Sequence, residues 1–350
     1  MDPNANKRNL RNKLSKEQAI ARLKAENFKR KTISFYKYVI LSNLEQYRDS
    51  LFDQWRQLGV LGRVYVAQEG INAQISVPDQ NVALFRNSVD SFKELKDVAF
   101  KIAVQESDYS FFKLTIKVRN QIVSDGLSAD QYDVTNVGNH LDAEQWNKAI
   151  DNGAIVVDMR NHFESEIGRF ENAICPQSES FKEELPEVKE LLKGKESQKV
   201  ILYCTGGIRC EKTSAYLKHN GFEDVNQLHG GIIDYVRQLE ENKSIDNKFK
   251  GKNFVFDARL GERVSKEVIS NCHQCGEKAD SHINCKNVNC NLLFIQCANC
   301  QKEHQKCCSP ECIEVNNLPQ EKQKELRKGK DNNQRYHSHK KVDLSKAFKK

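Results

Sequence analysis

The side chain best placed for chemistry is Cys204, which ends the run Val200-Ile201-Leu202-Tyr203-Cys204. That run is apolar, β-branched and aromatic, as a buried strand is. The next residues, Thr205-Gly206-Gly207-Ile208-Arg209, are too glycine-rich for strand or helix, and beyond Cys210 the spacing of Thr213, Tyr216 and Leu217 is helical. A cysteine therefore stands where a strand stops and a helix starts. Glycines tolerate positive φ and let the backbone curl round the sulfur. Helix N-terminal N–H groups, with Arg209 beside them, should depress the thiol pKa and favour thiolate. The plain alternative is a small buried hydrophobe, but two glycines, an arginine and a helix in succession make an anion cradle. Cys210 would either resolve an oxidised Cys204 sulfur as a disulfide or simply fill buried space.

Nine of the twelve cysteines form a second centre, from Cys272 to Cys312. They fall as Cys272-x2-Cys275, Cys285-x4-Cys290, Cys297-x2-Cys300 and Cys307-Cys308-x3-Cys312. Thiolates in CxxC turns reach one tetrahedral zinc ion, and the 21 residues between Cys275 and Cys297 approach the spacing of ribbon-like sites. The simplest partition puts Cys272, Cys275, Cys297 and Cys300 on one zinc and Cys285, Cys290, Cys308 and Cys312 on another, with Cys307 spare. An interleaved partition, ligation by His273, His282 or His304, disulfides and an iron–sulfur cluster all stay open. Four thiolates leave no open coordination position, so a zinc here is structural.

The fold class that positions these groups is a multidomain α/β and α+β chain. Residues 1–31 form a basic extension with a short helix around Lys16 to Asn27. Residues 32–110 read as strand, helix, strand, strand, helix, strand, the ferredoxin-like plan. The strands are 33–40, 62–67, 73–78 and 98–104; the helices are 43–58 and 81–95. In the turn before the third strand, Glu69 and Asn72 are either plain turn residues or an anion-binding pair. Residues 111–140 read as a linker containing a basic strand, where Lys113, Lys117 and Arg119 alternate with Leu114, Ile116 and Val118. That strand faces either RNA or solvent.

Residues 141–245 give strands 155–158 and 200–203 around a helix 181–193, a parallel βαβ arrangement. Asp158 and Arg160 stand at a strand's carboxyl end, where sites form in open α/β sheets; a salt bridge holding the loop is the simpler role for them. Residues 246–315 are the cysteine-rich module, with a strand expected across Phe254 and Phe256, and 316–350 a basic, unstructured tail.

The Cys204 loop resembles the active-site loop of the rhodanese family, whose first-position cysteine ends a strand and carries a persulfide. Ile155-Val156-Val157-Asp158-Met159-Arg160, Glu164, Gly168-Arg169-Phe170-Glu171-Asn172-Ala173 and Leu228-His229-Gly230-Gly231-Ile232 extend that resemblance, with Arg169 where many rhodaneses carry His. Across 33–315, the segments ISFYKY (33–38), GRVYVAQEGINAQISVP (62–78), VVDMRNHFE (156–164), YCTGGIRCEKTSAYLKHNGF (203–222), GKNFVFDARLGERV (251–264) and CHQCG (272–276) are together similar to the bacterial tRNA uridine(34) hydroxylase family. The resemblance implies oxygen-dependent 5-hydroxylation of the wobble uridine, an oxidoreductase reaction with molecular oxygen as co-substrate, tRNA as partner and Cys204 as the catalytic cysteine. A sulfur or electron donor would be a further partner. Neither a flavin or haem motif nor a facial iron triad is visible in the sequence.

Charge agrees with a polyanionic partner. Residues 1–31 hold ten Lys/Arg against three acids and 321–350 eleven against four, so both ends are strongly basic although the 350-residue chain carries only +7. Solvated tails explain the same runs without RNA. No run of about 18 apolar residues occurs, and the N-terminus has no secretory core, so the expected place is the cytoplasm, without membrane. Two other functions compete. One is a sulfurtransferase moving sulfane sulfur through a Cys204 persulfide; the other is a non-catalytic RNA-binding zinc module. A rhodanese-related phosphatase needs a longer loop than the four residues between Cys204 and Arg209.

Overall fold

Side-chain alternation decides the N-terminal sheet. The strand Leu61–Ala67 buries Val64 and Val66 while Arg63 and Tyr65 stay half-exposed, and Gly70–Pro78 buries Ala73 and Ile75 while Asn72 and Gln74 do not. Period-two burial of this kind marks a sheet with one face on the core. In the computed structural model, which describes residues 16–105, 109–127, 131–329 and 344–348, the strand order is Lys101–Ile102, Arg30–Tyr38, Gly70–Pro78, Leu61–Ala67, Leu114–Val118. The first four are the antiparallel ferredoxin-like arrangement, with helices Leu44–Gln57 and Val82–Asp90 between strands. Trp55 from the first helix sits edge-on to Phe35 of the sheet and Phe85 of the second helix, with ring centroids 6.2 and 5.1 Å away. Each such aromatic contact adds about 1 kcal/mol to the area it buries.

The fifth strand departs from expectation. Leu114–Val118, placed in a linker by the sequence, pairs in parallel with Leu61–Ala67 as an edge strand of this sheet. Leu114 and Ile116 are buried in its core, so apolar burial on one face is what recruits the segment. The Glu69 turn is tied into the fold. Glu69 Oε1 accepts the Ile122 N–H at 2.7 Å and Oε2 meets Lys212 Nζ at 2.9 Å, while Asn72 Nδ2 donates to the Ile122 carbonyl at 3.2 Å.

A second sheet is all parallel, in the order Asn139–Leu141, Asp224–Leu228, Lys199–Tyr203, Ile155–Asp158. Parallel neighbours require crossovers, and helices Ala143–Asp151, Phe181–Leu191 and Ile208–His219 lie in the connections between its strands, with Gly231–Glu241 following the last of them. The N-terminal and parallel sheets belong to one compact unit, which contains the described residues up to Arg160, Ile174–Asp246 and Phe256–Arg259. Lys212 joins them. It is buried, and its ammonium pairs with Glu69 and, at 3.1 Å, with Asp125. Burial pushes the Asp125 carboxyl up, but the Leu127 N–H, Gln121, Lys212 and Tyr132 outweigh it and hold the carboxyl below its usual range. Deleting one member of a buried ion cluster strands the others. Lys212→Met should therefore lower the stability of this unit by about 3 kcal/mol, measured as a shift of its denaturant midpoint.

The second unit contains Asn161–Ala173, Asn247–Val255 and the described residues from Leu260 onward. Its three-stranded sheet runs Glu262–Arg263, Phe249–Asn253, Gly168–Phe170. Gly168–Phe170, expected inside the 141–245 domain, thus pairs antiparallel with Phe249–Gly251 instead. The strand expected across Phe254 and Phe256 ends at Asn253. A hairpin of His282–Asn284 and Leu293–Ile295 follows, then helices Ala298–Glu303, Pro310–Asn317 and Gln320–Arg327. The last two enter the stretch expected to be an unstructured tail. Ser309 starts the first of them by accepting the Cys312 N–H, with Pro310 in the first turn. At the other end of the chain, the helix expected around Lys16 to Asn27 spans Lys16–Lys24. Much of both basic ends, 1–15 and 330–343, lies outside the described residues. Among the described residues, no helix is long and apolar enough to cross a membrane.

Candidate active site

Cys204 follows the strand Lys199–Tyr203 and is fully buried. The helix after it begins at Ile208, so Ile208 and Arg209, expected in the loop, form its first turn. Gly207 makes the early start possible. Its φ is +95°, and a Cβ there would come within 2.8 Å of Tyr36 Oη. Only glycine satisfies both conditions without strain. Gly207 N–H donates to Cys204 Sγ at 3.1 Å. Burial pushes the thiol up from its ordinary 9.0, but the Cys210 thiol bond, the Arg209 guanidinium and the backbone N–H groups of Arg209 and Cys210 bring it down to about 5. Cys210, also fully buried, moves the opposite way, because burial and the bond to Cys204 keep its proton on.

The loop is also clamped from its carbonyl side. Ile232 N–H donates to the Cys204 carbonyl at 3.0 Å and Ile233 N–H to that of Thr205 at 3.2 Å. Gly231 permits this approach, since a Cβ there would lie 2.5 Å from the Cys204 carbonyl oxygen. Asp158 and Arg160 form a fully buried two-point ion pair at 2.8 and 2.7 Å, and Tyr203 Oη donates to Asp158 at 2.7 Å. The pair thereby holds the side chain of the residue before Cys204.

Local sequence reasoning missed the neighbours contributed by the N-terminal sheet. Tyr36 Oη donates to Glu211 at 2.9 Å, Tyr38 Oη donates to the Ile208 carbonyl at 3.3 Å, and Lys101 Nζ stands 4.5 Å from the centre of the Tyr36 ring. Burial pulls the Lys101 ammonium down against the attraction of Asp234, Cys204 and Glu211. Burial raises the Glu211 carboxyl, but hydrogen bonds with His140, Gln227 and Tyr36 prevail and keep it ionised below its ordinary value. Tyr36 and Glu211 are 175 residues apart, so no spacing within a motif links them; the only signal was the aromatic density of residues 35–38.

A thiolate at neutral pH follows. The thiolate absorbance of the folded chain should contain one component titrating near pH 5, absent from Cys204→Ala. Because the folded thiol is the more acidic, its ionisation stabilises the fold fully above the ordinary 9.0 and ceases to do so as pH falls through about 5.

In the second unit, the Sγ atoms of Cys272, Cys275, Cys297 and Cys300 lie within 4.8 Å of one another, as do those of Cys285, Cys290, Cys308 and Cys312. This grouping coincides with the simplest partition read from the spacing. Cys275–Cys297, Cys290–Cys308 and Cys308–Cys312 are each 3.6 Å apart between sulfurs. A disulfide needs about 2.05 Å, whereas four sulfurs about 2.3 Å from a tetrahedral ion stand about 3.8 Å apart. Both clusters therefore fit a single metal ion each. His273 is not in either: its Nδ1 accepts the Ile295 N–H at 3.1 Å and its Nε2 faces Glu166 at 3.1 Å. Cys307 is buried and outside both clusters.

Family models match three stretches of the chain: an acylphosphatase-like domain of the UPF0176 type over 30–122, a rhodanese-like domain over 142–238 and a rhodanese C-terminal model over 250–313. A tRNA uridine(34) hydroxylase of Leptospira interrogans is 56% identical over 96% of this chain and 92% of its own length. Proteins of the same name from Yersinia enterocolitica and Escherichia fergusonii are 49% and 48% identical, each over 92% of this chain and 93% of their own. Identity of this extent spans the N-terminal sheet, the Cys204 loop and the cysteine clusters together, and the chain belongs to the tRNA uridine(34) hydroxylase family.

Proposed function

We propose that this chain is an oxidoreductase that hydroxylates C5 of uridine 34 in tRNA, in the cytoplasm, with dioxygen as co-substrate and Cys204 as its catalytic residue. The observation that carries the reading is the placing of Cys204 at the start of the helix Ile208–His219, with Gly207 N–H 3.1 Å from its sulfur and its thiol lowered to about 5, in a chain whose relatives are named for this reaction. Thr205, Gly206, Gly207, Ile208 and Arg209 shape the cradle, Cys210 holds the proton that a thiolate must not, and Asp158 with Arg160 fixes the strand end.

A thiolate in this setting has two uses. It adds to C6 of the uracil ring, which raises electron density at C5, or it carries a sulfane sulfur as a persulfide. In either use the overall balance is the same. One oxygen atom enters the C5–H bond, the other leaves as water, and a sulfur or electron donor provides two electrons and two protons. The four-cysteine clusters are assigned to zinc in a structural role, since all four positions of each are thiolates.

The test uses cells expressing the chain under dioxygen labelled with the heavy oxygen isotope. Heavy oxygen in the hydroxyl group at uridine 34 supports the reading. A hydroxyl group carrying oxygen from water refutes the dioxygen step, and hydroxyl-free uridine 34 refutes the activity.

A further inference from the structure

The N-terminal sheet has two unlike faces. One lies under helices Leu44–Gln57 and Val82–Asp90 and carries the core residues Phe35, Val64, Val66 and Ile75. The other is polar; it is solvent-accessible across its outer strands and buried at Lys101. Strand registers set Lys101, Ser34, Gln74, Arg63 and Thr115 in one row across the sheet, and Tyr36, Asn72, Tyr65 and Lys117 in the next. No position in either row is acidic. Arg63, Tyr65, Gln74, Thr115 and Lys117 are all half-exposed. Arg119, one more step along the same face, is exposed, and its guanidinium stands 5.6 Å from the centre of the Tyr65 ring.

This face leads to Cys204. Tyr36 and Lys101 end the two rows on the side of the thiolate: Tyr36 Oη bonds Glu211 at 2.9 Å, and the Lys101 side chain would lie 3.9 Å from a Cβ on Gly206. Two strand spacings, about 10 Å, separate Tyr65 from Tyr36. An aromatic ring among cations on an open sheet suits unpaired nucleotides: bases stack on the ring while the cations hold phosphates. Duplex RNA hides its base faces and cannot use the ring.

We propose that this open face is the platform for the single-stranded anticodon loop, with Tyr65 stacking on a base and Arg63, Lys117 and Arg119 on the phosphates, so that the target base is delivered toward Cys204. The proposal rests on the hydroxylase reading for the identity of its RNA. Its surface is a separate matter, and the two are tested separately.

The experiment measures binding of an anticodon stem-loop RNA with uridine at position 34 to the full chain under nitrogen, so that no turnover occurs. Tyr65→Leu should weaken binding about tenfold. Lys117→Gln with Arg119→Gln should weaken it and flatten the log–log salt dependence by roughly 1.4, about 0.7 for each phosphate left without its cation. A duplex RNA of equal length should bind less tightly and ignore Tyr65→Leu. The thiolate component near pH 5 should persist in every variant, which shows that the fold and the Cys204 cradle survive. Unchanged affinity in folded variants overturns the platform, as does equal affinity for the duplex or absence of RNA binding by the parent chain. Tyr65-dependent binding without hydroxylation of uridine 34 would overturn the activity and leave the platform standing; hydroxylation with binding indifferent to Tyr65, Lys117 and Arg119 would do the reverse.

Discussion

Cys204→Ala should fold and retain metal, yet hydroxylate uridine 34 at least about a thousandfold more slowly than the parent chain. Both uses of the residue require sulfur in its anionic form. Alanine has no nucleophile, and Cys204→Ser should do no better: a serine hydroxyl stays protonated at neutral pH even with the Gly207 N–H and Arg209 beside it, and it cannot carry a sulfane sulfur. The neighbouring thiol does not substitute, because burial, the largest cause of its raised pKa, remains when Cys204 is replaced and keeps Cys210 protonated. Cys210→Ala tests the cradle from the other side. It removes the thiol bond that helps lower Cys204, so the titration near pH 5 should move upward while hydroxylation falls by less than in Cys204→Ala.

Removing metal from the four-cysteine clusters should unfold the second unit. Between them the two clusters tie the turn at Cys272, the hairpin of His282–Asn284 and Leu293–Ile295 and the helices Ala298–Glu303 and Pro310–Asn317. Cys285, Cys308 and Cys312 are themselves part of the small apolar core with Leu292 and Phe294. Structural zinc in small domains contributes about 10–16 kcal/mol of apparent binding free energy at neutral pH, more than a core of this size supplies. A strong chelator should therefore abolish the amide-exchange protection of residues 282–317, and metal analysis of the untreated chain should return two zinc ions, one for each cluster. Cys297→Ser should return one. Two ions still bound in Cys297→Ser would refute the partition.

The parts of the site that were legible in the sequence are local. A strand end, two glycines, an arginine and a helix within a few residues of Cys204 define the cradle by themselves, and the two CxxC pairs, Cys272/Cys275 and Cys297/Cys300, meet in one cluster. The missed parts depend on partners distant in the chain. Tyr36, Tyr38 and Lys101 reach the loop only because the two sheets share a unit, a juxtaposition that Lys212 secures by binding Glu69 and Asp125. Leu114–Val118 looked like linker because its basic residues were conspicuous; its two buried side chains, Leu114 and Ile116, decided its place. Gly168–Phe170 is three residues long, too short for its pattern to name the strand it joins.

Nucleoside mass spectrometry of tRNA from cells that lack this chain, complemented with the parent sequence or with Cys204→Ala at equal abundance, tests the central claim most directly. The parent should restore 5-hydroxyuridine and the bases derived from it at position 34, and Cys204→Ala should restore none. Equal restoration by both would contradict the assignment of Cys204, and restoration by neither would contradict the activity.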